Sequence, residues 1–252
     1  MIDDPPPRLP PAFRLVALGT VVSTNDEAKR LLRDGAEEGT LVWAQAQSGG
    51  RGRDGRSWSS PAGNLYASLI LRPEGPPGDV AQLGFVTALA IGSGIGGFLP
   101  PLVALTNKWP NDVLLDGRKV SGILLESEGV RSDGVDGVVL GFGVNVAACP
   151  AETRVPATSL AALAGEAIAP ARVLEAIARH LQSWIRRWVE DGFEPVRQAW
   201  MSRAHALGQP ISVRLPRETL EGVFAGIDAR GMLQLDMPMG RRLVSAGDVF
   251  FN

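Results

Sequence analysis

The sequence predicts an α+β protein in two parts. A mixed unit of short strands and helices ends near residue 206, and a small all-β unit follows. Three observations predict it. The chain has 252 residues, which at ~150 residues per domain is between one and two domains and is enough to bury a core without disulfides. Short β-leaning apolar runs alternate with helical patterns up to about residue 206. From Gly208 onward only short strands and turn residues remain.

The elements follow in order. Five of the first eleven residues are proline, and no basic region leads into an apolar run. Residues 1–20 therefore read as a disordered lead-in and not as a targeting signal. Ser23 ahead of Asn25, Asp26 and Glu27 marks a helix start, with Ser23 or Thr24 as cap and acids in the first turn. That helix runs from Glu27 to about Arg33, and Gly35 ends it. Leu41–Ala44 is a short strand, Ser48–Arg56 a glycine-rich loop and Leu65–Leu71 a strand.

Val80–Asn107 holds no charged residue. A membrane span is the first reading to weigh. Its Gly, Ala, Ser and Thr content, the Pro100-Pro101 break and the lack of an aromatic belt or paired basic flanks favour a buried core helix over Val80–Phe98. Short strands follow at Leu105–Trp109, Val113–Leu115 and Lys119–Glu126, with Asp116-Gly117 as a hairpin turn. Val138–Val146 is a further core strand. Arg172–Val189 repeats apolar residues at i, i+3 and i+4 and reads as an amphipathic helix. A second short helix covers Val196–His205. The closing strands are Ile211–Leu215, Glu221–Ile227, Met232–Leu235, Arg242–Ser245 and Asp248–Phe251, in the pattern of a small β-barrel.

Composition narrows the function. Hydrophobic residues make up 45% and charged residues 21%, an ordinary soluble balance. Twenty-five basic against 27 acidic residues argue against a nucleic-acid coat. One cysteine and two histidines, His180 and His205, exclude a disulfide framework and a Cys/His zinc cluster. Chemistry run by arginine, lysine and backbone amides has many more places to sit.

Three segments carry candidate chemistry. Gln47–Arg56 mixes four glycines with three arginines. Glycines let the backbone approach a ligand, and arginine forks match carboxylate and phosphate oxygens. A mobile basic loop or an RGG-like nucleic-acid segment is the bland alternative. The loop is neither a phosphate-binding G-x-x-x-x-G-K-[ST] nor a G-x-G-x-x-G fingerprint. Lys108, the first charge after the neutral stretch, ends a strand ahead of Trp109-Pro110-Asn111-Asp112 and is placed to meet an anion. A lysine snorkelling at a sheet rim is the alternative there. In Gly141-Phe142-Gly143-Val144-Asn145, strand glycines mark close approach of another group. Asn145 adds an amide that needs a partner, protein or ligand.

The order of these pieces is more specific than any one of them. Ser23-Thr24-Asn25, Gln47, Gly50 to Trp58, Lys108 to Asp112, Lys119 to Glu126 and Gly141 to Asn145 form a series that strongly resembles the biotin protein ligases. The likeness returns at Gly226-Ile227-Asp228 and Ala246-Gly247-Asp248. Gly49, where alanine is usual, and Gln45, where an acid is common, are departures outside the core motifs.

The resemblance implies a mixed-sheet catalytic domain over residues 21–206 and an SH3-like domain over 207–252. It implies two substrates, biotin and ATP, the latter with Mg2+, joined as biotinyl-5′-AMP and passed to a lysine of a biotin carboxyl carrier protein. Lys108 and Arg53 would be catalytic. Ser23, Thr24, Asn25, Gln47, Gly50, Arg51, Gly52, Arg53, Lys108 and Gly122 would hold biotin. Arg51, Arg53, Arg56, Trp58, Asn111 and Asn145 would hold the nucleotide, and no side chain is assigned to the metal. The lack of a targeting signal makes a cytoplasmic enzyme the default. The reading of Val80–Asn107 as core gives no membrane partner, and the domain limits leave no room for a DNA-binding head. Exposed strand edges of this fold can pair in a homodimer, though the sequence does not show which edge is free. A lipoate or octanoate ligase or transferase of the same fold and a non-catalytic biotin-binding module are the competing readings.

Overall fold

Seven strands form a mixed sheet: β1 (Arg14–Val21), β2 (Thr40–Gln47), β3 (Leu65–Leu71), β4 (Leu105–Lys108), β5 (Asp112–Leu115), β6 (Arg118–Glu128) and β7 (Gly137–Val144). The computed structural model describes residues 6–151, 153 and 155–251. The sheet order is β1-β2-β3-β7-β6-β5-β4. β1 and β2 are parallel and joined through helix α1 (Thr24–Arg33), while the remaining pairs are antiparallel.

Strand alternation gives the sheet two unlike faces. Leu65, Ala67, Leu69, Leu140, Phe142 and Val144 join the main core with helices α2 (Gln82–Gly96), α4 (Pro170–Asp191) and α5 (Phe193–Met201). The short α3 (Leu160–Ala164) precedes α4. On the other face Val42, Ile70 and Val139 pack beneath Ala28 and Leu32 of α1. Beyond α1 the same face carries Tyr66, Gly122, Gly141 and Gly143, and there it stays open.

Helix α2 is the neutral stretch noted in the sequence. The segment Pro77–Gly96 is long and apolar enough to cross a membrane, yet 78% of its most apolar window is buried in the protein. Its small residues serve packing: a Cβ on Gly94 would sit 2.8 Å from the backbone of Ile177 in α4. The α2–α4 contact therefore leaves no room for a side chain at Gly94.

Strands β8 (Pro210–Arg214), β9 (Thr219–Ile227), β10 (Leu233–Met237), β11 (Gly240–Val244) and β12 (Asp248–Phe251) form a separate antiparallel sheet, ordered β11-β10-β9-β8-β12. Its Ile211, Phe224, Leu233 and Val249 belong to the same core cluster as the main sheet. Trp109 Nε1 donates to Gly231 O at 3.0 Å, bonding one part to the other.

Three expectations need correction. The stretch 1–20 is not all a disordered tail: residues 1–5 lie outside the described residues, but Arg14–Val21 is strand β1. An edge strand with one paired side needs only modest alternation, and the preceding prolines hid it. The helix expected over Val196–His205 is Phe193–Met201, because Gly192 starts it and residues 203–205 leave to bond β4. Five-residue α3, too short for a periodic signal, was not expected.

Candidate active site

The open face of the main sheet holds a cavity of about 240 Å³. Five segments line it, and each arrives for a local reason. The first is the start of α1. Ser23 has extended backbone angles and leads into the helix, so Ser23, Thr24 and Asn25 are buried at the cavity's end. Thr24 donates from its backbone N–H (2.8 Å) and Oγ1 (3.0 Å) to Gln47 Oε1, and Gln47 Nε2 donates to Ser60 Oγ at 2.9 Å. Asn25 Nδ2 donates to Glu126 Oε2 at 2.7 Å, and Ser68 Oγ lies 2.6 Å from Asn25 Oδ1. Burial, the largest influence on Glu126, pushes its pKa up. The bonds from Lys29 and Asn25 and the nearby charges of Lys29 and Arg51 outweigh it, and the carboxyl titrates below its usual range.

The second segment is the arginine–glycine loop. Gly50 does not line the cavity. It lets the loop turn behind it: a Cβ there would fall 2.5 Å from Ser60 Oγ and 2.6 Å from the Trp58 carbonyl. Arg51 forms two bonds to Asp26, at 2.7 and 2.6 Å. Arg51, Gly52, Arg53 and Arg56 all face the cavity. Arg53 donates to Gly247 O at 3.1 Å and lies 3.4 Å from Asn111 Oδ1, while Arg56 pairs with Asp248 at 3.0 Å. The loop therefore spans both sheets. Trp58 closes it by lying against Gly122 and Gly143.

The third segment is the pair of hairpins β4–β5–β6. Asp116 and Gly117 both have positive φ (47° and 72°), as the predicted two-residue turn requires. The hairpins bring Lys108, Asn111, Asp112, Lys119 and Gly122 to the cavity. Asn111 Nδ2 donates to Ile123 O at 2.7 Å. Lys108 is buried, with Nζ 5.9 and 5.2 Å from the ring centres of Phe250 and Phe251. Burial pushes its pKa down, opposed by Asp112 and Asp248 and reinforced by Lys119 and Arg56. Lys119 Nζ pairs with Asp112 Oδ1 at 2.5 Å.

The fourth segment is the end of β7. Asn145 donates from Nδ2 to Thr158 O at 3.1 Å, and its Oδ1 accepts no bond among the described residues. The fifth is Gly247–Phe250 of the small sheet.

Thus Ser23, Thr24, Asn25, Gln47, Arg51, Gly52, Arg53, Arg56, Trp58, Lys108, Asn111, Gly122 and Asn145 are brought to one cavity, and Gly50 stands just outside it. Sequence reasoning gave no role to Tyr66, Asp112, Lys119, Asp248 or Phe250, which also line it. The hairpin signal at Asp116-Gly117 could have found Lys119, since it folds Lys119 back onto Asp112. The result is one polar, amide-rich end joined to one end where two lysines and two arginines gather against two carboxylates. Such an arrangement holds anions and stabilises charge that develops between them.

Known proteins resemble the chain along most of its length. Residues 55–202 match the biotin/lipoate A/B protein ligase family, and residues 206–252 match the biotin protein ligase C terminal domain. A biotin–[acetyl-CoA-carboxylase] ligase of Paracoccus denitrificans is 43% identical over 234 residues, which cover 91% of this chain and 97% of that one. The bifunctional ligase/repressor BirA of Bacillus subtilis is 37% identical, covering 90% of this chain and 70% of that one. Among solved structures, the biotin protein ligase from Aquifex aeolicus in complex with biotin and ATP superposes with a TM-score of 0.79 at 27% identity, covering 94% of this chain and 97% of that one.

Proposed function

Because the chain belongs to the biotin/lipoate A/B protein ligase family, we propose the following course for its reaction in this cavity. The enzyme is an ATP-dependent biotin–protein ligase. A biotin carboxylate oxygen attacks the α-phosphorus of ATP, the bond to the β-phosphate breaks, and pyrophosphate leaves. The ε-amine of a carrier lysine then attacks the acyl carbon of biotinyl-5′-AMP, loses a proton and displaces AMP. The observation that carries this reading is the joining of the two ends of the cavity, neutral amides at one and clustered cations at the other.

The placement of the residues supports the roles that the resemblance implies. Ser23, Thr24, Asn25 and Gln47 face the ureido ring, the last three with side chains already fixed by their own bonds. Lys108, Lys119 and Arg53 sit where a carboxylate must approach a phosphate, and their charge offsets the repulsion in the transition state. Lys119 is the more open of the two lysines and meets the reacting oxygens, while Lys108 supports it from the aromatic wall. Trp58 and Asn145 take the adenine. Arg51, Gly52 and Arg56 roof the adenylate and keep water from the anhydride.

Magnesium fits the residues present. Among the described residues no group of three His, Cys, Asp or Glu could hold a metal. Mg2+ carried on nucleotide phosphates needs only one or two carboxylates, and Asp112 and Asp248 face the cavity. Asp112 would hold it, and the ion would neutralise phosphate charge. A need for ATP and for a carrier-protein acceptor supports a cytoplasmic location.

Pyrophosphate exchange tests the reading. Biotin, MgATP and the enzyme together should exchange labelled pyrophosphate into ATP, and omission of biotin should stop it. Exchange with lipoate in place of biotin would transfer the assignment to a lipoate ligase. Biotin binding without exchange would leave a binding module.

A further inference from the structure

Asp26, which pairs with Arg51, has no part in the reaction as drawn. Asp26 does not line the cavity. It sits in the first turn of α1, beside the residues that face the ureido ring. Arg51 Nη1 donates to Asp26 Oδ2 at 2.7 Å and Nη2 to Oδ1 at 2.6 Å. This fork-to-fork geometry fixes the direction of the guanidinium as well as its distance. Lys29 Nζ lies 3.3 Å from the same Asp26 oxygen and 2.8 Å from Glu126 Oε1, and Arg51 lies 3.8 Å from Glu126 Oε2. Two cations and two carboxylates therefore interleave at one point. The bond from Arg51 holds the Asp26 carboxyl below its usual range, and the bond from Asp26 raises Arg51.

Position makes this pair matter more than its strength. Its side chains are 34% and 40% exposed, so water and salt weaken it. Yet Gly49, Gly50, Arg51 and Gly52 form a stretch in which Arg51 alone has a side chain. The far end of the loop is held by Arg53 on Gly247 and Arg56 on Asp248. At the near end the side-chain hold is Asp26.

We propose that Asp26 is a positioning residue for the ligase reaction: by gripping Arg51 it keeps the stretch Gly49–Gly52 closed over the biotin end of the cavity before substrate arrives. The inference rests on the ligase reading above. A loop already ordered need not be ordered by biotin, so the grip lowers the biotin KM. Asp26 touches no reacting atom, so kcat is left nearly alone.

Wild type, Asp26→Asn and Asp26→Glu of the full chain test it in two arms. Without substrate, trypsin should cut Asp26→Asn after Arg51 and Arg53 about tenfold faster than wild type, with Asp26→Glu close to wild type. In turnover, Asp26→Asn should raise the biotin KM by about tenfold with kcat within about twofold, and Asp26→Glu should recover most of the loss. Equal loop cleavage, uniformly faster cleavage at distant sites such as Arg230, or a fall in kcat at unchanged KM would each overturn the proposal. A wild type that makes no biotinyl-5′-AMP would sink the ligase reading instead, while the cleavage arm still reports whether Asp26 holds the loop.

Discussion

Lys119 and Asp112 meet at 2.5 Å inside the cavity, although they stand on different strands of a hairpin. The Lys119 ammonium also lies 5.4 Å from the centre of the Trp58 ring. Its backbone is pinned by bonds to Pro156 O (2.7 Å) and from the Thr158 N–H (2.9 Å). The side chain is therefore a cation on a fixed base, held by one carboxylate that an incoming anion can replace. Removing its charge should remove transition-state stabilisation and little ground-state binding. Lys119→Gln is expected to slow biotin-dependent pyrophosphate exchange by about 10²–10³-fold, with biotin affinity by calorimetry nearly unchanged. Exchange at the wild-type rate would take Lys119 out of the chemistry.

Lys108 should set an alkaline limit. Burial, opposed by Asp112 and Asp248, lowers its pKa below the ordinary lysine value. The cation needed at the site is lost as pH rises through that lowered value, so exchange should fall there. Lys108→Arg should push the fall to higher pH. Stability runs the other way. Between the folded and unfolded pKa values the unfolded chain binds the extra proton, so the contribution is present above the unfolded value and lost as pH falls through the folded one. Lys108→Met should therefore raise Tm at neutral pH while abolishing exchange, since it removes a buried charge. A lower Tm for that variant would contradict the burial argument.

The loop and the start of α1 were legible in the sequence because their composition is odd: four glycines with three arginines, and a polar triplet ahead of a helix. The long helices were legible through their periodicity. What was not legible depends on partners far apart in the chain. Arg53 meets Gly247 across 194 positions, and Lys108 meets Phe250 and Phe251 of the last strand. Lys119 looked like the polar start of a strand, and Asp26 like an ordinary first-turn acid. Each had a sufficient local explanation, and only the fold adds the second one. Strand β1 was missed for a similar reason, since an edge strand shows weak alternation.

Gly143 is the floor on which Trp58 rests. A Cβ there would lie 2.5 Å from Trp58 Nε1 and 2.7 Å from Cε2, too close for any contact between such atoms. The strand is held on both sides by β3 and β6, so the indole must move. Gly143→Ala is expected to raise the ATP KM by about tenfold, in line with stacking worth ~1–3 kcal/mol, and to change tryptophan fluorescence without substrate. Biotin affinity should be spared. Unchanged ATP kinetics would show that the indole position does not matter to the nucleotide.

Asn145 should decide which purine is used. Its Nδ2 is committed to Thr158 O at 3.1 Å, which fixes the carboxamide with the other atom, Oδ1, as the free one. The residue is buried, and a turned-over carboxamide would set its oxygen against the Thr158 carbonyl and lose the bond. A fixed acceptor welcomes the 6-amino group of adenine. It faces the 6-oxo group of guanine with two lone-pair oxygens and no proton between them. Leaving a buried acceptor unpaired costs ~1–3 kcal/mol, so ATP should be preferred over GTP by about 5- to 150-fold. Asn145→Ala removes both the acceptor and the penalty: the ATP KM should rise by several-fold, and the ATP-to-GTP ratio of kcat/KM should fall towards unity. A variant that loses ATP affinity but keeps the full preference would place the purine reader elsewhere in the cavity.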